Sequence, residues 1–293
     1  MHRPEHNLLF PANEWGITPN LTAYDSYRFV SLGSGSSGNA YLLEYHGVRL
    51  LIDAGIAPRT LRTLLQNNGC APEALTAIFI THDHADHVRG VGVLASRYNI
   101  PVYASPTVAT TLRTSRYISE DLTPFLRPMP VGTTETMGDL RITSFEVPHD
   151  SSQNVGYLLE CPAGTFVLVT DVGHITSDIS WAVGQANFLV LESNYDPEML
   201  RNGTYPDFLK ARITNGTGHI SNVQAAEFMA KHYHLDLSYL ALCHLSKENN
   251  HPLLAWKTME HRLSAEGIRI GKDLELLTLK RAVPSDVAFL KKK

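Results

Sequence analysis

The chain has 293 residues, of which 43% are hydrophobic, and its formal net charge is −4 at pH 7. This length allows one large domain or two small ones, and the slight acidity excludes a global basic field that would attract a polyanion. Three cysteines without paired spacing, and the lack of an apolar stretch long enough to span a membrane, predict a cytoplasmic protein with reduced thiols.

The first part of the chain predicts an extension followed by a hairpin around a Gly/Ser loop. Residues 1–26 show no clear periodicity, so we expect an N-terminal extension ahead of a single domain over 27–293. Residues 28–32 and 40–44 predict two strands joined by this loop. Such a loop can offer N–H groups and hydroxyls to a phosphate, although its composition fits a flexible turn equally well. The candidate phosphate-binding residues in the loop are Ser34, Ser36, Ser37 and Asn39.

A dense cluster of potential metal ligands follows an apolar strand predicted over residues 77–80. The cluster contains His82, His84, Asp86 and His87. His82 and His84 are two residues apart in extended chain and point the same way, so both can face one ion. A helix predicted after Asp86 turns Asp86 and His87 toward a second ion. Imidazole and carboxylate donors suit zinc, manganese or iron.

Further ligand-type side chains stand at the ends of other predicted strands. Asp53 ends the strand predicted over 48–53. His149, Asp171 and His244 follow the strands predicted over 140–147, 165–170 and 237–243. Asp53 is placed to orient a metal-binding imidazole, although a carboxylate after a strand is also a common turn cap. Asp171 can bridge two cations and offset their mutual repulsion. The set predicts one ion held by His82, His84 and His149, and another by Asp86, His87 and His244.

Two later features are candidates for substrate contact. Ser221 and Gln224 predict a capping box that begins a helix, so His219 stands at a helix N-terminus, where partial positive charge favours an anion. Ahead of it lie the cations Arg201, Lys210 and Arg212, which can contact a polyanion. Cations in a helix are more often a solvated face, and both interpretations stay open at this stage.

The pattern His-x-His-x-Asp-His at residues 82–87 resembles the signature of the metallo-β-lactamase superfamily. The order of strand-end ligands resembles that superfamily from residue 28 to residue 279. The resemblance implies an α/β fold with a four-layer αβ/βα sandwich, in which two mixed β-sheets are flanked by helices. The alternation of strands and helices along the chain agrees with it.

A narrower resemblance lies in segments 31–39, 81–94, 191–200, 218–222 and 244–250, which are similar to the WalJ/YycJ group of this superfamily. That group implies a bacterial cytoplasmic 5′→3′ DNA exonuclease with two divalent metal ions, acting on DNA ends. By the same resemblance, His219 supports the phosphate or protonates the leaving group. Asn194 and Ser221, in two of these segments, are expected to contact substrate.

The expected chemistry is phosphodiester hydrolysis by a hydroxide held between two ions and oriented by Asp86. The main alternative is a small-molecule hydrolase of the glyoxalase II or lactonase type, which can use the same ligands. A metal-stabilised scaffold without catalysis is a weaker alternative. The segment from Asp171 to His219 is too short for the cap domain of β-CASP nucleases, and nothing between Asp171 and Glu192 is suited to the tRNA-gripping arm of tRNase Z.

Overall fold

A computed structural model describes residues 25–292. Two seven-stranded sheets form the centre of the fold. In spatial order, the first sheet contains β14 (Ala288–Leu290), β1 (Tyr27–Gly33), β2 (Ala40–Tyr45), β3 (Val48–Ile52), β4 (Ala77–Phe79), β5 (Val102–Ala104) and β6 (Leu126–Pro128). The second contains β13 (Glu275–Thr278), β12 (Tyr239–Cys243), β11 (Phe188–Glu192), β10 (Gly164–Val169), β9 (Val155–Cys161), β8 (Leu140–Glu146) and β7 (Thr134–Met137).

Helices flank both sheets, and most of them pack on the outer faces. The helices of the described residues are α1 (Pro58–Asn67), α2 (Ala85–Val88), α3 (Val91–Tyr98), α4 (Pro106–Leu112), α5 (Ser177–Val183), α6 (Pro197–Asn202), α7 (Asp207–Thr214), α8 (Asn222–His232) and α9 (Pro252–Ala265). The predicted four-layer sandwich with two mixed sheets is confirmed, since each sheet combines antiparallel and parallel strand pairs. The predicted extension over 1–26 lies outside the described residues except for its last two.

Three apolar clusters hold the four layers together. The central one is aromatic and lies between the sheets, where the rings of Phe29 and Phe166 have centroids 5.1 Å apart. Tyr27 is buried there, and its hydroxyl donates to the carbonyl oxygens of Leu159 and Gly164. The other two clusters pack each sheet against its own helices. Burial of apolar surface on both faces explains why the central strands are almost continuously hydrophobic.

The last strand, β14, is an antiparallel edge strand beside β1. One local feature differs from the sequence-based expectation. The helix predicted after Asp86 is divided, since α2 ends at Val88 and α3 begins at Val91. At the break, a Cβ on Gly90 would lie 2.6 Å from the carbonyl oxygen of Ile56, so the backbone of the β3–α1 turn packs directly against it.

In the described part of the chain, no helix combines the length and the apolar character needed to cross a membrane.

The ends of the parallel strands place the site. Strands β3 and β4 are parallel in one sheet, and β10, β11 and β12 are parallel in the other, so in each sheet their carboxyl ends share an edge. Backbone hydrogen bonds tie the turn after β3 to the metal-motif segment, from the N–H of Ala54 to the carbonyl of His87 and from that of Gly90 to the carbonyl of Ala54. Backbone hydrogen bonds thus connect the first sheet directly to the segment that carries Asp86 and His87.

We predict that Gly55→Ala is strongly destabilising. An added Cβ would lie 1.5 Å from the carbonyl oxygen of Asp86, and backbone atoms cannot swing aside as a long side chain can. The expected loss is about 1–3 kcal/mol or more of unfolding free energy, measured by urea denaturation. Gly184→Ala is the matched control, because its nearest neighbour is Ser180 O at 3.3 Å. Equal denaturation midpoints for the two variants would contradict the prediction.

Candidate active site

Seven predicted ligands converge where the strand ends of the two sheets meet. The ligand atoms of His82, His84 and His149 all lie within 4.8 Å of one another, as do those of Asp86, His87 and His244. Asp171 lies between the two groups. One of its carboxylate oxygens is 3.7 Å from His149 Nε2, and the other is 3.3 Å from His87 Nε2.

The residues present fit divalent cations. Among the described residues, the Nε2 atoms of His82 and His244 are buried and have no hydrogen-bond partner. Thr81 Oγ1 lies 3.0 Å from His82 Nδ1, so hydrogen bonding occupies the other nitrogen of that ring. A buried polar atom without a partner is costly, and a coordinated ion would satisfy it. The cluster therefore has the donor types and the orientation of a divalent metal site, made only of nitrogen and oxygen donors.

Asp53 orients the candidate ligand His87 through a hydrogen bond. Its buried carboxylate accepts a hydrogen bond from His87 Nδ1 at 2.7 Å and another from the Thr81 N–H at 2.9 Å. Burial raises the pKa of Asp53, while the imidazole of His87 opposes that rise. With Nδ1 as the donor, the Nε2 of His87 is left as the ligand atom, which is how a carboxylate commonly orients a metal-binding imidazole.

The predicted substrate-binding residues divide into two groups. Ser36 and Asn194 line the cavity, while Ser37 is exposed outside its lining. Ser34 is buried, and its hydroxyl accepts from the His244 N–H and pairs with the Tyr41 hydroxyl.

Asn39 and Ser221 are likewise occupied within the protein. Asn39 Oδ1 accepts from the Gly35 N–H at 2.7 Å, and the Ser221 hydroxyl accepts from the Gln224 N–H in the capping box that begins α8. The structure thus places Ser34, Asn39 and Ser221 in hydrogen bonds within the protein, and substrate contact by these three residues stays a prediction. They face inward and hold the site in shape, because a buried polar group takes its hydrogen bonds from the protein.

Sequence reasoning missed the role of Glu192, which stands at the end of β11. Its buried carboxylate lies 2.8 Å from His219 Nδ1 and 3.1 Å from His244 Nδ1. The other oxygen accepts from the N–H groups of Val172 and Ile220. Burial opposes ionisation, but the imidazoles of His219 and His244 together outweigh it and lower the pKa of Glu192. The available signal was its position directly after an apolar strand, the same signal that identified Asp171.

A cavity of about 280 Å³ opens over the cluster. The candidate ligands form its floor, and α7 with the preceding Tyr205 forms one wall. Of the three cations predicted as a patch, only Arg212 lines the cavity, and its guanidinium pairs with Asp150. Arg201 pairs with Glu198 at 2.7 Å on the exposed helix surface. Two of the three cations are therefore paired with carboxylates, whereas Lys210 Nζ donates to the carbonyl of Arg201.

Comparisons with known proteins agree with this architecture. The profile of the beta-lactamase superfamily domain matches residues 48–244. Exodeoxyribonuclease WalJ of Streptococcus pneumoniae is 37% identical over 250 residues, which cover 85% of this chain and 93% of that protein. Exodeoxyribonuclease YycJ of Bacillus anthracis is 32% identical over 263 residues, covering 90% and 99%.

A solved structure shows the same fold. The metallo-beta-lactamase fold protein YhfI from Bacillus subtilis superposes with a TM-score of 0.67 at 17% identity, covering 90% of this chain and all of that one. The match to the domain profile and the full-length similarity to two curated proteins place the chain in a family. This chain belongs to the beta-lactamase superfamily and, within it, to the family that contains the exodeoxyribonucleases WalJ and YycJ.

Proposed function

We propose that this protein is a metal-dependent exodeoxyribonuclease that hydrolyses DNA phosphodiesters from the 5′ end. The carrying observation is the convergence of two histidine-rich ligand groups around Asp171, with the His219–Glu192 pair beside them in the cavity. The names of the curated relatives support DNA as the substrate. The proposed catalytic unit is the domain over 27–293. The cytoplasm is its proposed location, because Cys70, Cys161 and Cys243 are all unpaired.

The proposed cofactors are two divalent ions, zinc or manganese, with iron also compatible with the donor types. His82, His84 and His149 would hold one, Asp86, His87 and His244 the other, and Asp171 would contact both. When bound, such ions polarise phosphoryl oxygens and bring the pKa of water near neutrality.

Asp86 is the proposed group that orients the attacking water. Its carboxylate lines the cavity and lies 3.6 Å from His244 Nε2 and 3.7 Å from His87 Nε2. Burial disfavours its charge, but the two imidazoles outweigh burial and lower its pKa to about 2. Asp86 is therefore ionised at neutral pH and accepts a hydrogen bond from water, which directs a lone pair of the water oxygen toward phosphorus.

His219 is the proposed proton donor to the leaving oxygen. Its Nδ1 faces the buried carboxylate of Glu192 at 2.8 Å, so its Nε2 is the nitrogen left for substrate. A carboxylate partner fixes the tautomer and the orientation of the imidazole ring. Glu192 is itself held by two backbone N–H groups, so the pair is rigid before substrate arrives.

The proposed function is tested by an end-labelled degradation assay on single- and double-stranded DNA and RNA, with manganese, zinc or magnesium. Metal-dependent release of nucleotides from 5′ ends of DNA is the expected result. Hydrolysis of thioesters or lactones, with no cleavage of any nucleic acid under any metal, would overturn the proposal and assign the protein to the small-molecule hydrolases.

We predict that Asp86→Ala lowers DNA turnover about a hundredfold or more while the fold is retained, because the ionised oxygen that orients water is lost. Initial rates and circular dichroism check this prediction. Asp83→Ala is the matched control from the same turn, since its carboxylate accepts from the Ser152 N–H and belongs to none of the ligand groups. Full activity in Asp86→Ala would remove this residue from the mechanism.

We predict that His219→Ala lowers kcat about 10²–10⁴-fold with unchanged metal content, because His219 contacts substrate in the proposed mechanism. Elemental analysis beside single-turnover rates separates the two quantities. His174→Ala is the control, as this exposed histidine hydrogen-bonds Gly216 and lies outside the cavity lining. A parallel loss of metal and rate would make His219 a structural residue.

We predict that Asp53→Asn weakens metal binding about 10–100-fold, because the amide orients His87 less strongly than the carboxylate does. Competition with a chromogenic chelator measures the affinity, and saturating metal is expected to restore most of the rate. Asp139→Asn serves as control, since Asp139 pairs with His46 at 2.9 Å on the surface. Unchanged affinity in Asp53→Asn would show that this contact is dispensable.

A further inference from the structure

Part of the segment between β11 and His219 forms one wall of the cavity, and the helix in this wall has no buried side chain. This helix, α7, spans Asp207–Thr214. Tyr205, Leu209, Arg212 and Ile213 nevertheless line the cavity. Because residues 209, 212 and 213 recur at helical spacing, a single face of α7 is turned toward the site.

Phe208 lies beside this face and is 76% exposed. It precedes Arg212 by four residues, so the two side chains are neighbours along the helix. A single exposed phenylalanine is unremarkable on a protein surface. Phe208, however, lies in the same segment as the ring of Tyr205 and the aliphatic side chains of Leu209 and Ile213, which line the cavity. The proposed chemistry uses none of these four side chains.

The cavity lining on the other strand-end loops is polar. Ser36 of the Gly/Ser loop and Ser246 after β12 line the cavity. Arg281 packs against this side, where its Nη1 donates to the Ser246 carbonyl at 3.1 Å and its Cγ lies 2.8 Å from the Cβ position of Gly35. Apart from Arg212, the lining is therefore apolar and aromatic along α7 and the preceding Tyr205, and it carries hydroxyl groups along the loops. A nucleotide has the same division, with a flat base and a charged phosphate.

We propose that Tyr205 and Phe208 form a stacking platform for a nucleobase of single-stranded DNA next to the bond that is cut. This inference rests on the proposed nuclease function and names how that site holds its substrate. Stacking on an aromatic ring is tolerant of base identity, because every base has a π-face. The platform thus gives affinity for unpaired ends without selecting a sequence.

The test compares Phe208→Ala with wild type on two oligonucleotides that share one backbone, a normal 5′-labelled single strand and the same strand with abasic sites in its first four positions. The expected result is a KM on the normal strand raised about fivefold or more, with kcat nearly unchanged. On the abasic strand the two enzymes are expected to have equal KM. Phe208→Trp is expected to keep the wild-type value on both strands.

Phe289→Ala is the matched control, since Phe289 is also an exposed phenylalanine, at 56%, and lies on β14 outside the cavity lining. It is expected to behave as wild type. An unchanged KM for Phe208→Ala on the normal strand, in an enzyme whose wild type degrades that strand, would overturn the platform while leaving the nuclease function in place. A wild type that releases no nucleotides from DNA with any metal would overturn both.

Sedimentation velocity tests the remaining alternative, in which a second copy of the chain covers Phe208. A wild-type dimer that dissociates in Phe208→Ala would make this surface a subunit contact and would also overturn the platform. A common oligomeric state for wild type, Phe208→Ala and Phe289→Ala supports it.

Discussion

The arrangement of the site depends on three buried carboxylates that are each balanced by imidazoles. Asp53 faces His87, Glu192 faces His219 and His244, and Asp171 stands between the two ligand groups. A buried unpaired charge costs several kcal/mol, so each carboxylate is tolerable only while its partners stay in place. Burial raises the pKa of Asp171, but the imidazoles of His244 and His87 outweigh burial and hold it well below the ordinary value. The same carboxylate–imidazole contacts therefore position the candidate ligands and stabilise the buried charges.

The backbone contributes to the same arrangement. Asp53, Asp171 and His244 follow strands β3, β10 and β12 and have φ values of 60°, 56° and 52°, in the left-handed region. A residue with a Cβ adopts this conformation at a cost of about 1–2 kcal/mol. The paired strands before these residues, and the hydrogen bonds of their side chains, hold them there.

The sequence could predict the layers and the ligand groups because both follow from local rules. Apolar runs mark buried strands, and the residues that follow them gather at the strand ends, which is how His149, Asp171 and His244 could be selected without coordinates. Glu192 obeys the same rule and was missed because its partner His219 is 27 residues away. The inward orientation of Ser34 and Asn39 was unpredictable from composition, since a Gly/Ser loop does not show which hydroxyl faces the core. The short strand β14 was missed because its register with β1 is a long-range contact.

The distribution of charge limits how such a protein can hold a polyanion. The chain carries a net charge of −4, and the cavity is lined by Asp86, Asp150 and Asp171. Arg212, an arginine in the cavity lining, is already paired with Asp150. Arg212 therefore adds little to the release of counterions by a basic surface, which is the usual source of DNA affinity. In the proposed function, divalent cations would neutralise the floor of the cavity, and stacking of bases would add to the affinity. A site built in this way favours unpaired ends, because a base inside a duplex has no free face to offer.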